Sequence, residues 1–107
     1  MDGIAYLVTQ TYKEDAIKQR IPVEGEPKEI FVTEESISRN EFYSAGSNGL
    51  RAELVLITPA INYEGEREII YNDIRYSIYR TYKKKDSDEI ELYLGRKVGI
   101  QNGISNS

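Results

Sequence analysis

The sequence predicts a small all-β protein, mainly a single antiparallel β-barrel of about six strands with one short helical turn in a long loop. Three observations predict it. Apolar and aromatic residues alternate with polar ones in several short runs, the period of a half-buried strand. About six such runs follow one another at short spacing, as in small barrels and sandwiches. One segment alone reads as helical, for about a single turn, and there is no internal repeat.

The elements follow in order. Gly3 to Tyr12 reads GIAYLVTQTY, with Ile4, Tyr6, Val8 and Tyr12 on one face and Ala5, Leu7, Thr9 and Thr11 on the other. This predicts one strand. Lys13 to Lys28 is polar and broken by Pro22, Gly25 and Pro27, so it reads as a long irregular hairpin connection with an extended piece at Gln19 to Val23. Glu29 to Glu34 is a second strand. Ser36 to Leu50 reads SISRNEFYSAGSNGL. Ser38 and Glu41 have capping-box spacing, which predicts about one helical turn from Glu41 to Ala45, stopped by Gly46, with Gly49 releasing the chain. Long loops of this kind are often functional.

Arg51 to Thr58 is apolar on both faces at its centre, as in a strand covered from both sides. Pro59 ends it. Asn62 to Glu66 is a turn, Glu68 to Tyr71 a short strand, and Asn72-Asp73 a tight hairpin signal. Ile74 to Tyr82 and Ile90 to Leu94 are strands joined by the charged turn Lys83 to Glu89. Their predicted inward face is Tyr76, Ile78, Tyr82, Ile90, Leu92 and Leu94, and Leu54 is predicted to be buried with them. Tyr79 and Tyr93 fall on the opposite face with Arg75, as a cross-strand pair or as interface residues. A single domain is expected over residues 1–98, with 99–107 a flexible tail.

Composition narrows function. The chain of 107 residues has no cysteine, histidine or tryptophan. Disulfides, thiolate chemistry and the Ser-His and Cys-His nucleophile pairs are impossible, and a zinc site would need carboxylates alone. No cofactor and no metal are expected, and the protein is expected not to be an enzyme; an enzyme using carboxylates or tyrosine is the weakest reading. The net charge of −4, from 18 acidic and 14 basic residues, disfavours tight binding to phosphate backbones. Neither a membrane span nor a signal peptide is expected. Lys83 to Lys85 sit beside Asp86, Asp88 and Glu89, the composition of a solvated hairpin tip. The alternative function is a small barrel binding single-stranded nucleic acid, which would need a basic groove formed by Arg75, Arg80 and Lys83 to Lys85.

A family resemblance joins this reading. Tyr76-Ser-Ile-Tyr-Arg-Thr-Tyr82, a charged turn, Ile90-Glu-Leu-Tyr93 and Lys97-Val-Gly99 resemble the C-terminal signature of the head-closure, or head-tail adaptor, proteins of long-tailed phages. Ser38-Arg-Asn-Glu-Phe-Tyr43, Ala45-Gly46, Gly49-Leu50 and Tyr63-Glu-Gly-Glu66 resemble that family's central segment and turn. The likeness runs in order from Ser38 to Gly99. It departs after Gly49-Leu50, where the family often has a proline and this chain has Arg51-Ala52-Glu53.

The resemblance implies a β-barrel subunit of a virion ring, made in the host bacterial cytoplasm, of six or twelve copies. Such a ring sits below the portal and adaptor and above tail-completion or tail proteins. It closes the channel after packaging, offers a surface for tail attachment, and lets double-stranded DNA pass without holding it tightly. In that setting the expected gating loop is Ser36 to Leu50, with Ser38, Arg39, Glu41, Phe42, Tyr43, Gly46 and Gly49 as its candidate residues. Lys13 to Lys28 is the competing segment. Tyr79, Tyr93 and Arg75 are the candidate subunit interface.

Overall fold

The computed structural model describes residues 2–97, so the predicted tail at 99–107 lies outside the described residues. Six strands close a barrel: β1 (Asp2–Leu7), β4 (Lys28–Glu35), β5 (Leu50–Pro59), β6 (Glu68–Tyr71), β7 (Ile74–Tyr82) and β8 (Glu89–Lys97). Their order around the barrel is β1-β4-β5-β8-β7-β6, and every neighbouring pair is antiparallel. The predicted small all-β barrel is thus the observed fold. Two further strands, β2 (Gln10–Glu14) and β3 (Arg20–Glu24), form a separate hairpin, and α1 (Arg39–Gly46) precedes β5.

The core fills the barrel. Ala5, Leu7, Ile30, Val32, Leu56, Ile69, Tyr71, Tyr76, Leu92 and Leu94 are buried in one cluster, with Leu54, Ile78 and Ile90 packed partly buried against it. These residues alternate along their strands because successive side chains point to opposite faces. Tyr71 brings a hydroxyl toward this interior and donates it to Glu34 Oε1 at 2.8 Å. Burial, reinforced by that carboxylate, pushes the phenol up to about 12.

The structure corrects several predicted elements. The first strand stops at Leu7: Val8 is buried directly after the buried Leu7, which breaks the alternation, and the chain leaves the barrel into β2. Tyr82, predicted inward, is exposed. A β-bulge between Ile78 and Arg80 inserts Tyr79 as an extra residue, so Thr81 rather than Tyr82 stands opposite the buried Leu92. One added residue reverses the face of everything beyond it. The helical turn is a two-turn helix. Gly46 is its last residue and Ser47 caps it, while Gly49 at φ +76° makes the reversal into β5. A left-handed backbone there suits the one residue without a Cβ.

Asn72 and Asp73 join β6 to β7 with φ of +52° and +65°. Two successive positive φ values are those of a type I′ turn, whose twist matches its flanking strands.

Candidate functional site

α1 and the β2–β3 hairpin are the two elements added to the barrel, and they are held differently. Ser38 caps α1, its hydroxyl accepting from the Glu41 N–H at 3.1 Å. The side chain of Glu41 does not return to the cap as a capping box would. It crosses to β7, where it accepts from the Tyr79 hydroxyl at 2.7 Å and from both Nε and Nη2 of Arg80. The Arg80 guanidinium also lies 3.8 Å from the centre of the Tyr93 ring, and Tyr79 and Tyr93 meet edge to face at 6.3 Å. The bulge at Tyr79 makes this possible, since it places Tyr79 and Arg80 consecutively against Tyr93.

Only 13 % of the Glu41 side chain is exposed. The bonds from Arg80 above all hold its carboxyl below the ordinary value of 4.5, against the effect of burial. Burial and the bond to Glu41 push the Tyr79 phenol upward. Ala45, one turn beyond Glu41, is buried. α1 is therefore clamped to its own barrel by an ionic and aromatic cluster.

The hairpin is bare. All of β2 and four of the five residues of β3 are exposed. Its tip is shaped locally: Asp15 Oδ1 accepts from the N–H groups of Ile17 and Gln19, and Lys18 takes φ +64°. Tyr12, Ile17 and Ile21 are exposed along it, with Arg20 stacked 4.6 Å from the Tyr12 ring centre. At its base the Gly25 N–H donates to the Thr9 carbonyl at 2.9 Å. Arg75 reaches from β7 to Glu24 at the end of β3 and to Glu68 on β6.

Between that base and the turn after β5 lies an open groove of about 840 Å³, with Val8, Leu50 and Ile78 on its apolar side. Its carboxylates are engaged by cations: Glu24 and Glu68 by Arg75, Glu64 and Glu66 by Lys28 Nζ, at 3.2 Å each for the latter two. Burial pushes Glu66 up, but backbone N–H groups and Lys28 outweigh it and hold the carboxyl below 4.5. A general acid needs the opposite displacement. Among the described residues no group of three or more acidic side chains is placed to hold a metal ion.

The sequence-predicted site residues separate into four sets. Ser38 and Glu41 belong to the cap and clamp of α1. Arg39, Phe42 and Tyr43 face outward from α1, and Phe42 and Tyr43 meet edge to face at 5.9 Å. Gly46 and Gly49 end the helix. Tyr79 and Tyr93, nominated for an interface, are half-buried and meet each other, and Arg75 is paired twice within the chain. Both arginines of the postulated basic groove, Arg75 and Arg80, are thus neutralised by carboxylates. Sequence reasoning missed the Glu41–Arg80 pair, whose partners lie 39 residues apart with no pattern linking them. It also missed the exposure of Phe31, which alternation alone could have flagged because Ile30 and Val32 took the inward face.

Compared with known proteins, the chain matches no family model and no curated protein.

Proposed function

We propose that the protein is a ring subunit of the connector between the head and tail of a long-tailed phage. There, in six or twelve copies, it closes the DNA channel after packaging and presents a surface for the tail. The likeness of Ser38 to Gly99 to head-closure proteins suggests this role. The observation that carries it is the β2–β3 hairpin, a ten-residue sheet left exposed beside a barrel that already closes on itself. A lone two-stranded hairpin is marginal in water, so this one is best explained by a surface supplied in an assembly. The net charge of −4 suits a channel wall that must release DNA.

The same contrast decides which element is proposed to gate. Ser36 to Leu50 is clamped through Glu41, whereas the hairpin is tied by the Arg75–Glu24 pair and its short base. The gating role passes in this proposal from Ser36–Leu50 to Lys13–Lys28. In the virion the ring would touch the portal or adaptor on one side and a tail-completion or tail protein on the other.

The test is negative-stain microscopy of phage heads assembled with and without this protein. Heads lacking it should be empty and tail-less, and a variant with Gln10–Glu24 replaced by a short turn should join the particle but leak DNA. Filled, tailed particles made without the protein would refute the role.

A further inference from the structure

Among the described residues, helical cover lies on one side of the barrel's outer surface. α1 packs over β5, and Val55, which shares the outward face with Tyr93, is buried there. β1 stands three strands from β8 in either direction around the barrel, and among the described residues its outer face carries no such cover. On it Ile4 sits directly opposite Phe31 of β4, and Tyr6 follows, flanked by Glu29 on one side and Ile70 on the other. Phe31 is 72 % exposed, Ile4 43 % and Tyr6 40 %. Three large apolar side chains at neighbouring positions of two paired strands are a patch rather than scattered surface residues.

A second patch lies on α1. Arg39, Phe42 and Tyr43 stand at i, i+3 and i+4, one face of a helix, while Glu41 and Ala45 use the other face to hold the barrel. Phe42 is 45 % exposed and Tyr43 67 %. Beside them runs a shallow groove of about 670 Å³ between α1 and β5, bordered by Ile37, Ala52 and Leu54 and by two carboxylates already engaged within the chain, Glu34 by the Tyr71 hydroxyl and Glu53 by Arg51 and Arg96. The two patches complement each other in charge as well as polarity. Arg39 is exposed on the helix face, and the exposed Asp2 and Glu29 flank the apolar residues of the β1–β4 face.

We infer that the β1–β4 face of one copy docks on the α1 face of the next, with Phe31 entering the groove beside Phe42 and Tyr43 and Arg39 meeting Asp2 and Glu29. The occupant is a second copy of this chain because each face finds its complement on the same molecule. The faces are different surfaces, so the contact is heterologous: each copy keeps one of each free, and the association propagates or closes into a ring instead of stopping at a dimer. The inference rests on the ring-subunit reading for its setting and supplies the lateral contact that reading needs, in place of Tyr79, Tyr93 and Arg75.

The chain contains no cysteine, which permits a direct test by cross-linking. Phe31→Cys and Tyr43→Cys are made singly and together in the full chain, and thermal melts by circular dichroism verify that each folds as the parent does. Oxidised at submillimolar concentration, the double variant should give a ladder of multimers. An equimolar mixture of the singles should stop at dimers, and each single alone should stay monomeric. Arg39→Glu in the double variant should reduce the ladder several-fold, and adding Glu29→Lys should restore it. Dimers from Phe31→Cys alone, in the yield of the mixture, would mean that like faces meet; no ladder at all would mean that another partner covers these faces. Either result overturns the inference. A ladder from a protein that proves dispensable for DNA retention would overturn the connector role and leave the contact standing.

Discussion

Replacing Glu41 by alanine removes the centre of the cluster that holds α1 to the barrel. Three hydrogen bonds disappear, two from Arg80 and one from Tyr79. A bond to a charged group contributes roughly 1.5–3 kcal/mol and a neutral one about 1 kcal/mol. Nearly half of the Arg80 side chain is exposed, so water replaces most of what it loses, and the ionic part is discounted to at most about 1 kcal/mol. The Tyr79 hydroxyl is part-buried and is less easily rehydrated, which adds about 1 kcal/mol. The expected loss is therefore about 2 kcal/mol. Urea unfolding followed by far-UV circular dichroism measures it, since the chain has no tryptophan to report by fluorescence. Amide exchange adds a local readout: protection should fall in Arg39–Gly46 while β1 and β4 keep theirs. In a Tyr79→Phe background the same substitution should cost about 1 kcal/mol less. A loss under about 0.5 kcal/mol, with α1 as protected as before, would mean that apolar contacts around Ala45 hold the helix and that the clamp is incidental.

Acid should act on the same carboxylate. Because its folded pKa is depressed, Glu41 contributes stability that is present above the ordinary glutamate value of 4.5 and lost as pH falls below it toward the folded value. Melts of the parent should therefore fall more steeply below about pH 4.5 than those of Glu41→Gln, and parallel curves would refute this. Gly95→Ala should destabilise by about 1–3 kcal/mol in urea, because a Cβ there would stand 2.8 Å from the Arg51 carbonyl and 3.2 Å from the Tyr79 ring. Asp73→Gly should stabilise by roughly 0.5–1 kcal/mol, since Asp73 holds a left-handed backbone in the turn before β7, and the urea midpoint should rise.

Local patterns made much of the barrel legible. β6 and β7 begin and end where alternation and the Asn72-Asp73 turn place them, because both signals act within a few residues. β8 and β4 follow the same rule with one or more residues added at their ends. What sequence reading lost are features decided by contacts between distant segments. The bulge at Tyr79 depends on β8 accepting an extra residue opposite it, and nothing within Ile74 to Tyr82 announces it, so alternation alone puts Tyr82 on the wrong face. The second turn of α1 depends on docking over β5, since isolated helices this short are marginal. The candidate surfaces were read from exposed-looking aromatic residues, yet Tyr79 and Tyr93 found each other, whereas Phe31, written between two core residues, was left in solvent.

The base of the hairpin has a consequence for how this chain can vary. β1 and β4 are neighbours in the barrel, and the whole of β2 and β3 is spliced into the connection between them. The excursion leaves and returns at one point, where the Gly25 N–H meets the Thr9 carbonyl, and the β1–β4 ladder is already complete below it. Lengthening or shortening a flexible connection costs little, about 0.6 kcal/mol per doubling. The appendage can therefore be stretched, trimmed or exchanged for another sequence while the barrel beneath keeps its register. Reach and sequence of the arm are free to follow whatever it must touch, independently of the core that carries it.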